Sequence, residues 1–323
     1  MEELKKYTYT SCLAPFIEGF VSEKRSLGYI YNVDAYELSR FDKFWDENGN
    51  HCVDFTREQL QEWLNKKPTE SRSYQGRRIR VVRNLAKYMN TLGHQCYVPI
   101  EKIGRELPTH HIFTDRELTA FFEQVDSYAP SVYKRMAIIY PVLFRIIYCC
   151  GLRNNEACCL SCQDVNLEKG ILTIRHGKGN KSRLVYLAED VRLLCCTYAS
   201  AMKKSLGYQP FWFFPASDPS LHISKTTVGH TFNRLWAKTK YADSCEKKPT
   251  VHSLRHTFVV QRLNQWALSG IDIEVMLPYL CKYLGHKSPE ETFYYYHQVD
   301  DAFRIIELND KTAPKVIPEV KRI

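Results

Sequence analysis

The chain has 323 residues, of which 44% are hydrophobic, so it is long enough to bury one large core or two ordinary ones. No window approaches the roughly 18 uninterrupted apolar residues of a membrane span, and the charged start MEELKKYTYT does not resemble a secretory signal. The formal charge of +9 permits a polyanionic partner but does not require one, because excess Lys and Arg also aid solubility.

Four helices are predicted in the N-terminal part of the chain. Apolar residues recur at helical spacing in LAPFIEGFVSEKRSLG, which stops at Gly28, and further helices are predicted at about 32–48 and about 56–66. In the fourth, SRSYQGRRIRVVRNLAKYMNTLG, one apolar stripe is formed by Ile79, Val82, Leu85 or Ala86, Met89 and Leu92. The spacing predicts an amphipathic helix.

Six basic side chains lie mostly off that apolar stripe. They are Arg72, Arg77, Arg78, Arg80, Arg83 and Lys87. No Asp or Glu occurs between Ser71 and Ile100, whereas a solvated helix normally mixes both signs of charge. The pattern indicates either a phosphate-binding face or an ordinary soluble surface helix, and the charge alone does not decide between them.

A change of composition marks a linker at 105–112, between a helical domain at 1–104 and a second domain at 113–323. Pro108 and the polar run after it interrupt the helical pattern. Thr114, followed by Asp115 and Glu117, then indicates a helix N-cap with first-turn acids. We therefore expect two domains.

The second domain is predicted to be mostly helical with one β-hairpin. The β-rich runs ILTIR and RLVYL flank HGKGNKS, whose glycines suit a turn. Later stretches such as SLRHTFVVQRLNQWALSG and DIEVMLPYLCKYLGH have helical spacing and end in glycine. The expected fold class is mainly α with a small β-hairpin or sheet.

The twelve cysteines do not predict a disulfide framework or a zinc site. Three adjacent pairs, Cys149–Cys150, Cys158–Cys159 and Cys195–Cys196, lie in apolar runs and suit reduced thiols packed as small hydrophobes in a cytoplasm. Cys159 and Cys162 form a C-x-x-C, but no second ligand pair follows at zinc-site spacing. We predict no bound metal.

Four short segments that contain arginine, lysine or histidine precede a run of three tyrosines. They are CGLRNNEACCL, HGKGNK, VHSLRHTF and YLGHKS. Each is weak alone, but their combination resembles the tyrosine recombinase (phage-integrase) family, which includes the Xer and Cre enzymes. The resemblance covers the catalytic segment from about 113 to 300 motif by motif and the N-terminal helices more loosely. It implies a two-domain DNA clamp, with a helical core-DNA-binding domain before an integrase-like catalytic domain.

The resemblance also assigns roles to individual residues. It implies that Arg153 and Arg255 clamp the scissile phosphate and that His252 and His286 assist them. The remaining family positions correspond to Lys178 in the hairpin turn, with Lys181 a weaker substitute, and to Glu156 as a supporting acid.

These residue types suit attack on a phosphodiester for independent reasons. Negative charge develops on the equatorial oxygens, and preorganised guanidinium groups stabilise it with permanently charged, bidentate donors. Imidazoles donate hydrogen bonds or exchange protons near neutral pH, and a lysine can protonate the leaving 5′ oxygen. With this much fixed positive charge, no metal ion or other cofactor is expected.

The nucleophile is one of three adjacent tyrosines. Successive helical residues point about 100° apart, so at most one of Tyr294, Tyr295 and Tyr296 can face the phosphate well. The family's nucleophile follows the LGH histidine by nine residues and precedes another histidine by two. From His286 this count implies Tyr295, with His297 as the second histidine. The other two tyrosines would pack or contact a neighbouring protomer.

The resemblance implies a site-specific DNA recombinase that acts through a covalent 3′-phosphotyrosyl intermediate and a Holliday junction. We expect double-stranded DNA as partner, a homo-tetramer or a hetero-tetramer with related recombinases, no membrane, and a bacterial cytoplasmic, nucleoid-associated location. Integration, excision or transposition of a mobile element all fit. The rival hypotheses are a type IB topoisomerase-like nicking-closing enzyme and a catalytically inactive DNA-binding protein. The amphipathic piece at 303–308 either docks onto a neighbouring protomer or packs on its own domain.

Overall fold

A computed structural model of the chain describes residues 4–101, 103–104, 110–175, 182–245, 247–286, 288, 290–293 and 295. The chain divides into two compact units, Met1–Pro108 and Thr109–Ile323. Both are built mainly from helices, and the second also contains one three-stranded sheet. The predicted fold class, mainly α with a small sheet, is confirmed.

The first unit contains four helices around an aromatic core. They are α1 (Ala14–Ser26), α2 (Asn32–Glu47), α3 (Arg57–Leu64) and α4 (Arg72–Thr91). Phe41 and Trp45 of α2 pack against Trp63 and Phe55, with neighbouring ring centroids 5.2 to 6.1 Å apart. Rings at these distances and tilts add specific attraction to the burial of apolar area.

Helix α4 buries the predicted apolar stripe. The Ser71 hydroxyl caps the helix by accepting a hydrogen bond from the backbone N–H of Tyr74 at 3.2 Å. Ile79, Val82 and Met89 are at most 1% exposed. The helical spacing predicted the buried face correctly as far as Met89, but Leu92, the last residue of the predicted stripe, lies at the C-cap of α4 and is 53% exposed.

Arg78 is an exception to the predicted basic face. Its side chain is fully buried, donates to Glu70 at 2.6 Å and to the backbone carbonyl of Asn65 at 3.0 Å, and lies 4.9 Å from the ring centroid of Trp63. A guanidinium enclosed in this way cannot reach a phosphate, so the assignment of Arg78 to DNA binding is wrong. The charge count missed it because Arg78 lies on the side of α4 that faces Glu70.

Arg83 is also engaged within the protein. It donates hydrogen bonds to the backbone carbonyls of Pro99 and Glu101, at 2.5 and 2.7 Å, and is half-buried. Arg72, Arg77, Arg80 and Lys87 remain exposed on the outer side of α4.

Two apolar clusters form the core of the second unit, one of residues between Phe113 and Leu254 and one of residues between Phe258 and Tyr295. The described part of this unit contains eight α-helices. They are α5 (Asp115–Asp126), α6 (Met136–Cys149), α7 (Asn154–Cys158), α8 (Glu189–Leu206), α9 (Lys225–Trp236), α10 (Val251–Leu268), α11 (Ile273–Leu284) and α12 (Glu290–Phe293). Almost every side chain of α6 from Ile139 to Ile147 is buried, which fits its central position against α5, α8 and α10. The described residues include no helix long and apolar enough to cross a bilayer.

The sheet contains the predicted hairpin and one extra strand. Strands β2 (Ile171–Ile174) and β3 (Arg183–Tyr186) pair antiparallel, and the two-residue β1 (Val165–Asn166) pairs with the outer edge of β2. Leu172 and Val185 are paired and buried. Strand β1 was not predicted, because two residues are too short for a period-two pattern.

Several predicted features lie outside the described residues. They are the hairpin lysines Lys178 and Lys181, the flanking tyrosines Tyr294 and Tyr296, His297, and the segment at 303–308.

Replacing Arg78 with alanine should lower the free energy of unfolding by about 3 kcal/mol or more, because it leaves the buried Glu70 carboxylate without its partner. The exposed Arg77→Ala is the matched control and should change stability by no more than about 0.5 kcal/mol. Urea unfolding of the three proteins measures this. Equal stability of the two variants would contradict the assigned burial.

Candidate active site

Helix α10 carries three of the site residues near its N-terminus. The backbone N–H of Thr250 donates to the Ser253 hydroxyl at 3.0 Å, which defines where the helix begins. His252, Arg255 and His256 follow at spacings of three and four residues, so they lie on neighbouring positions of one helix face.

Arg255 is buried and held by backbone carbonyls. It donates to Gly151 O at 2.6 Å and to Leu284 O at 2.8 Å, and its side chain is 1% exposed. Burial and the charge of Arg153 lower the pKa of Arg255 to about 10, so the guanidinium stays protonated at neutral pH. The result is a fixed positive charge in a preset orientation.

Arginines from three different elements bind successive carbonyls at the end of α11. Tyr283 O accepts from Arg183 at 2.8 Å, Leu284 O accepts from Arg255 at 2.8 Å, and Gly285 O accepts from Arg153 at 3.1 Å. The last carbonyls of a helix have no partner within the helix and carry partial negative charge, so cations are favoured there.

Two glycines make these contacts sterically possible. Gly151, which follows α6, and Gly285, which caps α11, have φ values of +60° and +66°, where residues with a Cβ are strained. A Cβ at Gly151 would also lie 2.6 Å from the ring of Phe258, and one at Gly285 would lie 3.0 Å from Arg183 Nη1. The glycines of the GLR and LGH segments thus allow the turns and the close approach of Phe258 and Arg183.

Glu156 joins two of these arginines. Its Oε2 accepts from the backbone N–H of Arg153 at 2.9 Å, which caps α7, and its Oε1 accepts from the Arg153 side chain at 2.8 Å. Arg183 binds both carboxylate oxygens, at 2.9 and 2.7 Å. Burial alone would raise the pKa of Glu156, but the hydrogen bonds and charge of Arg183 outweigh it and lower the pKa to about 2.

The cluster has a surplus of positive charge. Arg153, Arg183 and Arg255 all lie within 4.0 Å of the one Glu156 carboxylate, so three positive charges face one negative charge. Within these four residues two positive charges are uncompensated. A phosphodiester carries one negative charge and would offset one of these two.

His286 is oriented by its neighbours. Its Nε2 lies 2.9 Å from Arg255 Nη2, and because arginine can only donate, Nε2 accepts. Its Nδ1 then carries the proton and donates to the Thr292 hydroxyl at 2.7 Å, while that hydroxyl lies 2.9 Å from Cys281 Sγ. The contacts assign one tautomer and one ring orientation.

Tyr295 is buried beside two of the histidines. Its side chain is 4% exposed, its hydroxyl lies 2.7 Å from His256 Nδ1, and its ring is nearly parallel to that of His286 at 6.4 Å. Burial and the neighbouring His252 lower the pKa of His256 to about 2, so this imidazole is neutral across the physiological range. His110 stacks on the other side of the His256 ring at 3.8 Å.

His252 lies at the exposed side of the cluster. Its ring is 4.6 Å from that of His256 in an edge-on arrangement. Crowding by protein atoms and the charge of Arg255 lower the pKa of His252 to about 4, although part of the ring is open to solvent. A bound anion would oppose that shift by favouring the protonated ring.

The structure brings together Arg153, Glu156, His252, Arg255, His286 and Tyr295, all singled out from the sequence. Lys178 lies outside the part of the chain that the structure describes. Two contributors were missed. His256 is part of the quoted VHSLRHTF segment, and its position one residue after Arg255 was the available signal; Arg183 begins the RLVYL strand, and nothing in the sequence distinguishes it from a surface arginine.

The chain matches a known protein family and resembles several known proteins. Residues 112–302 match the phage integrase family. The chain is 26% identical to a tyrosine recombinase of Pseudothermotoga lettingae, over 84% of this chain and 88% of the relative. It is 27% identical to the tyrosine recombinase XerC of Pelobacter propionicus, over 79% of this chain and 78% of the relative. Its fold is similar to a solved XerH recombinase bound to its difH substrate before cleavage, with a TM-score of 0.65, 22% identity and coverage of 92% of this chain and 84% of that chain.

Because the match covers more than half of the chain, the chain belongs to the phage integrase family.

Glu156→Gln should remove a pH-dependent contribution to stability. The folded-state pKa of Glu156 is depressed, so its ionised form stabilises the fold above the unfolded pKa of about 4.3, and this contribution of roughly 2–3 kcal/mol is lost as the pH falls toward about 2. Unfolding free energies measured from about pH 6 to about pH 2, a range that contains both pKa values, should fall less steeply for the variant. The exposed Glu168→Gln should follow the parent protein; identical slopes for all three would refute the role of the carboxylate.

Proposed function

We propose that this chain cleaves and rejoins double-stranded DNA at a specific site, with Tyr295 as the nucleophile. The supporting observation is the convergence of Arg153, Arg255 and His286, from three separate elements, next to the Tyr295 phenol. The charge surplus of the arginine cluster suits one phosphodiester.

The proposed reaction is a transesterification. The Tyr295 oxygen bonds to phosphorus and loses its proton, the bond to the 5′ oxygen breaks, and that oxygen takes up a proton. The product is a 3′-phosphotyrosyl ester that conserves the energy of the broken strand, so rejoining by a 5′-hydroxyl needs no ATP. Lys178 is assigned as proton donor to the leaving oxygen by family resemblance.

The arginines and histidines have separate roles in this proposal. Arg153 and Arg255 hold the phosphate, and their fixed orientation lowers the cost of reorganisation in the transition state. His286 has an oriented ring at the edge of the clamp, and His252 is the histidine open to the incoming strand. Glu156 orients the arginines by accepting hydrogen bonds from Arg153 and Arg183, and it is not assigned a contact with the DNA.

His256 positions the nucleophile. Its neutral Nδ1 is 2.7 Å from the Tyr295 hydroxyl, so a protonated phenol can donate to it. With a pKa near 2, His256 is too weak a base to hold the phenol proton at neutral pH, and its role is therefore orientation.

The first unit contributes DNA binding through the exposed side of α4. Arg72, Arg77, Arg80 and Lys87 are the proposed phosphate contacts, while Arg83 is a weaker candidate because it binds two backbone carbonyls. Contacts of this kind raise affinity for any DNA sequence and weaken with salt.

The proposed assembly is a tetramer on two DNA sites, of identical or related recombinases, that exchanges strands through a Holliday junction. A cytoplasmic, nucleoid-associated protein that integrates, excises or transposes a mobile element fits this activity. A type IB topoisomerase would instead relax a plasmid as a monomer, and the family assignment favours the recombinase. Junction formation on paired target sites, resolved by native gel, distinguishes the two.

Tyr295→Phe should abolish covalent capture of a suicide substrate nicked near the cleavage position, because only the missing hydroxyl forms the ester. Tyr294→Phe and Tyr296→Phe are matched controls and should still form a protein–DNA band in a denaturing gel. If Tyr295→Phe retains the band, the assignment of the nucleophile is wrong. If the parent protein forms none on its target site, the protein is a DNA-binding scaffold without strand cleavage.

His256→Leu should slow covalent capture by about tenfold or more, since a misplaced nucleophile loses its productive geometry. His256→Asn offers a polar side-chain atom close to the position of Nδ1 and should retain more of the rate. Single-turnover cleavage measures both, and DNA affinity should be the same in the two variants. Equal rates for the Leu and Asn variants would show that the contact with Tyr295 has no part in positioning.

A further inference from the structure

A second cluster of titratable side chains lies at the start of the second unit, outside the site described above. His111 precedes α5, Glu117 is in the first turn of α5, and Cys245 lies in the segment that leads into α10. One ligand atom from each residue falls within 4.8 Å of the other two. The strand-cleavage proposal uses none of them.

The contacts of Glu117 leave one of its oxygens directed at His111. Oε2 completes the helix cap by accepting from the backbone N–H and the hydroxyl of Thr114, at 2.8 and 3.0 Å. Oε1 lies 3.3 Å from His111 Nε2. That approach falls outside hydrogen-bond geometry, and Nε2 is buried with no hydrogen-bond partner among the described residues.

The spacing of these two atoms suits a shared metal ion. Zinc–nitrogen and zinc–oxygen bonds of about 2.0–2.1 Å at a tetrahedral angle place the two ligand atoms about 3.4 Å apart. An imidazole nitrogen and a carboxylate oxygen at 3.3 Å without a hydrogen bond therefore match one edge of a zinc tetrahedron.

Cys245 supplies the third ligand. Its Sγ lies 3.2 Å from His111 Nδ1 and 2.8 Å from Lys247 O, and one ligand atom from each of the three residues lies within 4.8 Å of the other two. On binding, the thiol loses its proton and shifts toward the metal. A thiolate, an imidazole and a carboxylate together select zinc over magnesium or calcium, which prefer oxygen ligands alone.

The surroundings hold the imidazole in place. The His111 ring packs edge-on against Phe113, at 4.9 Å, and lies 6.0 Å from Trp236. The backbone N–H of Phe113 donates to the Thr257 hydroxyl at 2.9 Å, which anchors this segment on α10. A ligand fixed in this way loses little freedom when the ion binds.

We propose that His111, Glu117 and Cys245 form a zinc site with water as the fourth ligand. The ion joins the start of α5 to the segment before α10, and α10 bears His252 and Arg255. Its role is structural, because it acts on the support of the catalytic helix. The sequence concealed this site, since 134 residues separate His111 from Cys245 and the three ligands form no spaced motif.

The test is metal titration of the full chain after dialysis against a chelator. Zinc is titrated in competition with a chromophoric chelator, and cobalt(II) is added separately to reveal thiolate coordination by its charge-transfer absorption. We expect one zinc per chain and a cobalt–thiolate band. Zinc should also raise the unfolding temperature.

Two variants and one control locate the site. Cys245→Ser should remove the cobalt–thiolate band and weaken zinc binding by at least about tenfold. Mutating even a residue that only hydrogen-bonds to a metal ligand lowers metal affinity by about 10- to 100-fold. Glu117→Gln should also weaken binding by about tenfold or more, while the carboxamide keeps the helix cap, so a loss of binding is not a loss of folding. The control is Cys159→Ser, which removes the other cysteine close to a histidine, His222 at 3.9 Å, and should bind zinc as the parent does.

Three results would overturn the proposal. They are no zinc bound by the parent protein, equal affinity in the parent and both variants, or loss of the bound equivalent in Cys159→Ser alone. In the first case the three side chains form a thiol–imidazole–carboxylate contact with no ion. None of these measurements depends on recombinase activity, so they stand apart from the test of Tyr295.

Discussion

The end of α11 is the point on which the active site depends. Three successive carbonyls, of Tyr283, Leu284 and Gly285, each accept a guanidinium N–H from a different element. Carbonyls at the end of a helix have no hydrogen-bond donor within the helix, and they carry the negative end of the helix dipole. One helix terminus therefore gathers Arg183 and Arg153 around the buried Arg255, and Glu156 joins the first two with a single carboxylate.

Burying three guanidinium groups at this site is unfavourable in free energy. A buried guanidinium group loses its hydration. One carboxylate for every arginine would compensate for this loss, but the site would then have no positive charge left to bind an anion. The site instead uses neutral carbonyls for part of the compensation and one carboxylate for three arginines. This compensation leaves a surplus of positive charge that can bind a phosphodiester.

Much of the candidate site could be predicted from the sequence because its short motifs resemble those of a known family, and that resemblance assigns roles to residues within each motif. His252 and Arg255 are three apart on one helix, Glu156 is three after Arg153, and Tyr295 is nine after His286. Such spacings are local, so a helix or a turn translates them directly into position. The burial of Arg78 and the contact of His256 with Tyr295 were not predictable in this way. Both depend on which neighbour covers the side chain, and that neighbour comes from elsewhere in the chain.

The sequence by itself determined most of the helices, the hairpin strands and most of the apolar face of α4, since periodicity and caps are properties of neighbouring residues. The site residues were predicted through the resemblance of their motifs to a known family. Only the tertiary structure decided which of the basic residues on α4 face solvent, that Arg183 shares Glu156 with Arg153, and that His111, Glu117 and Cys245 converge. The physical reason is that burial and pairing depend on long-range packing. The role of an arginine, histidine or cysteine depends on the side chain or backbone group that it contacts, and that group can come from a distant part of the chain.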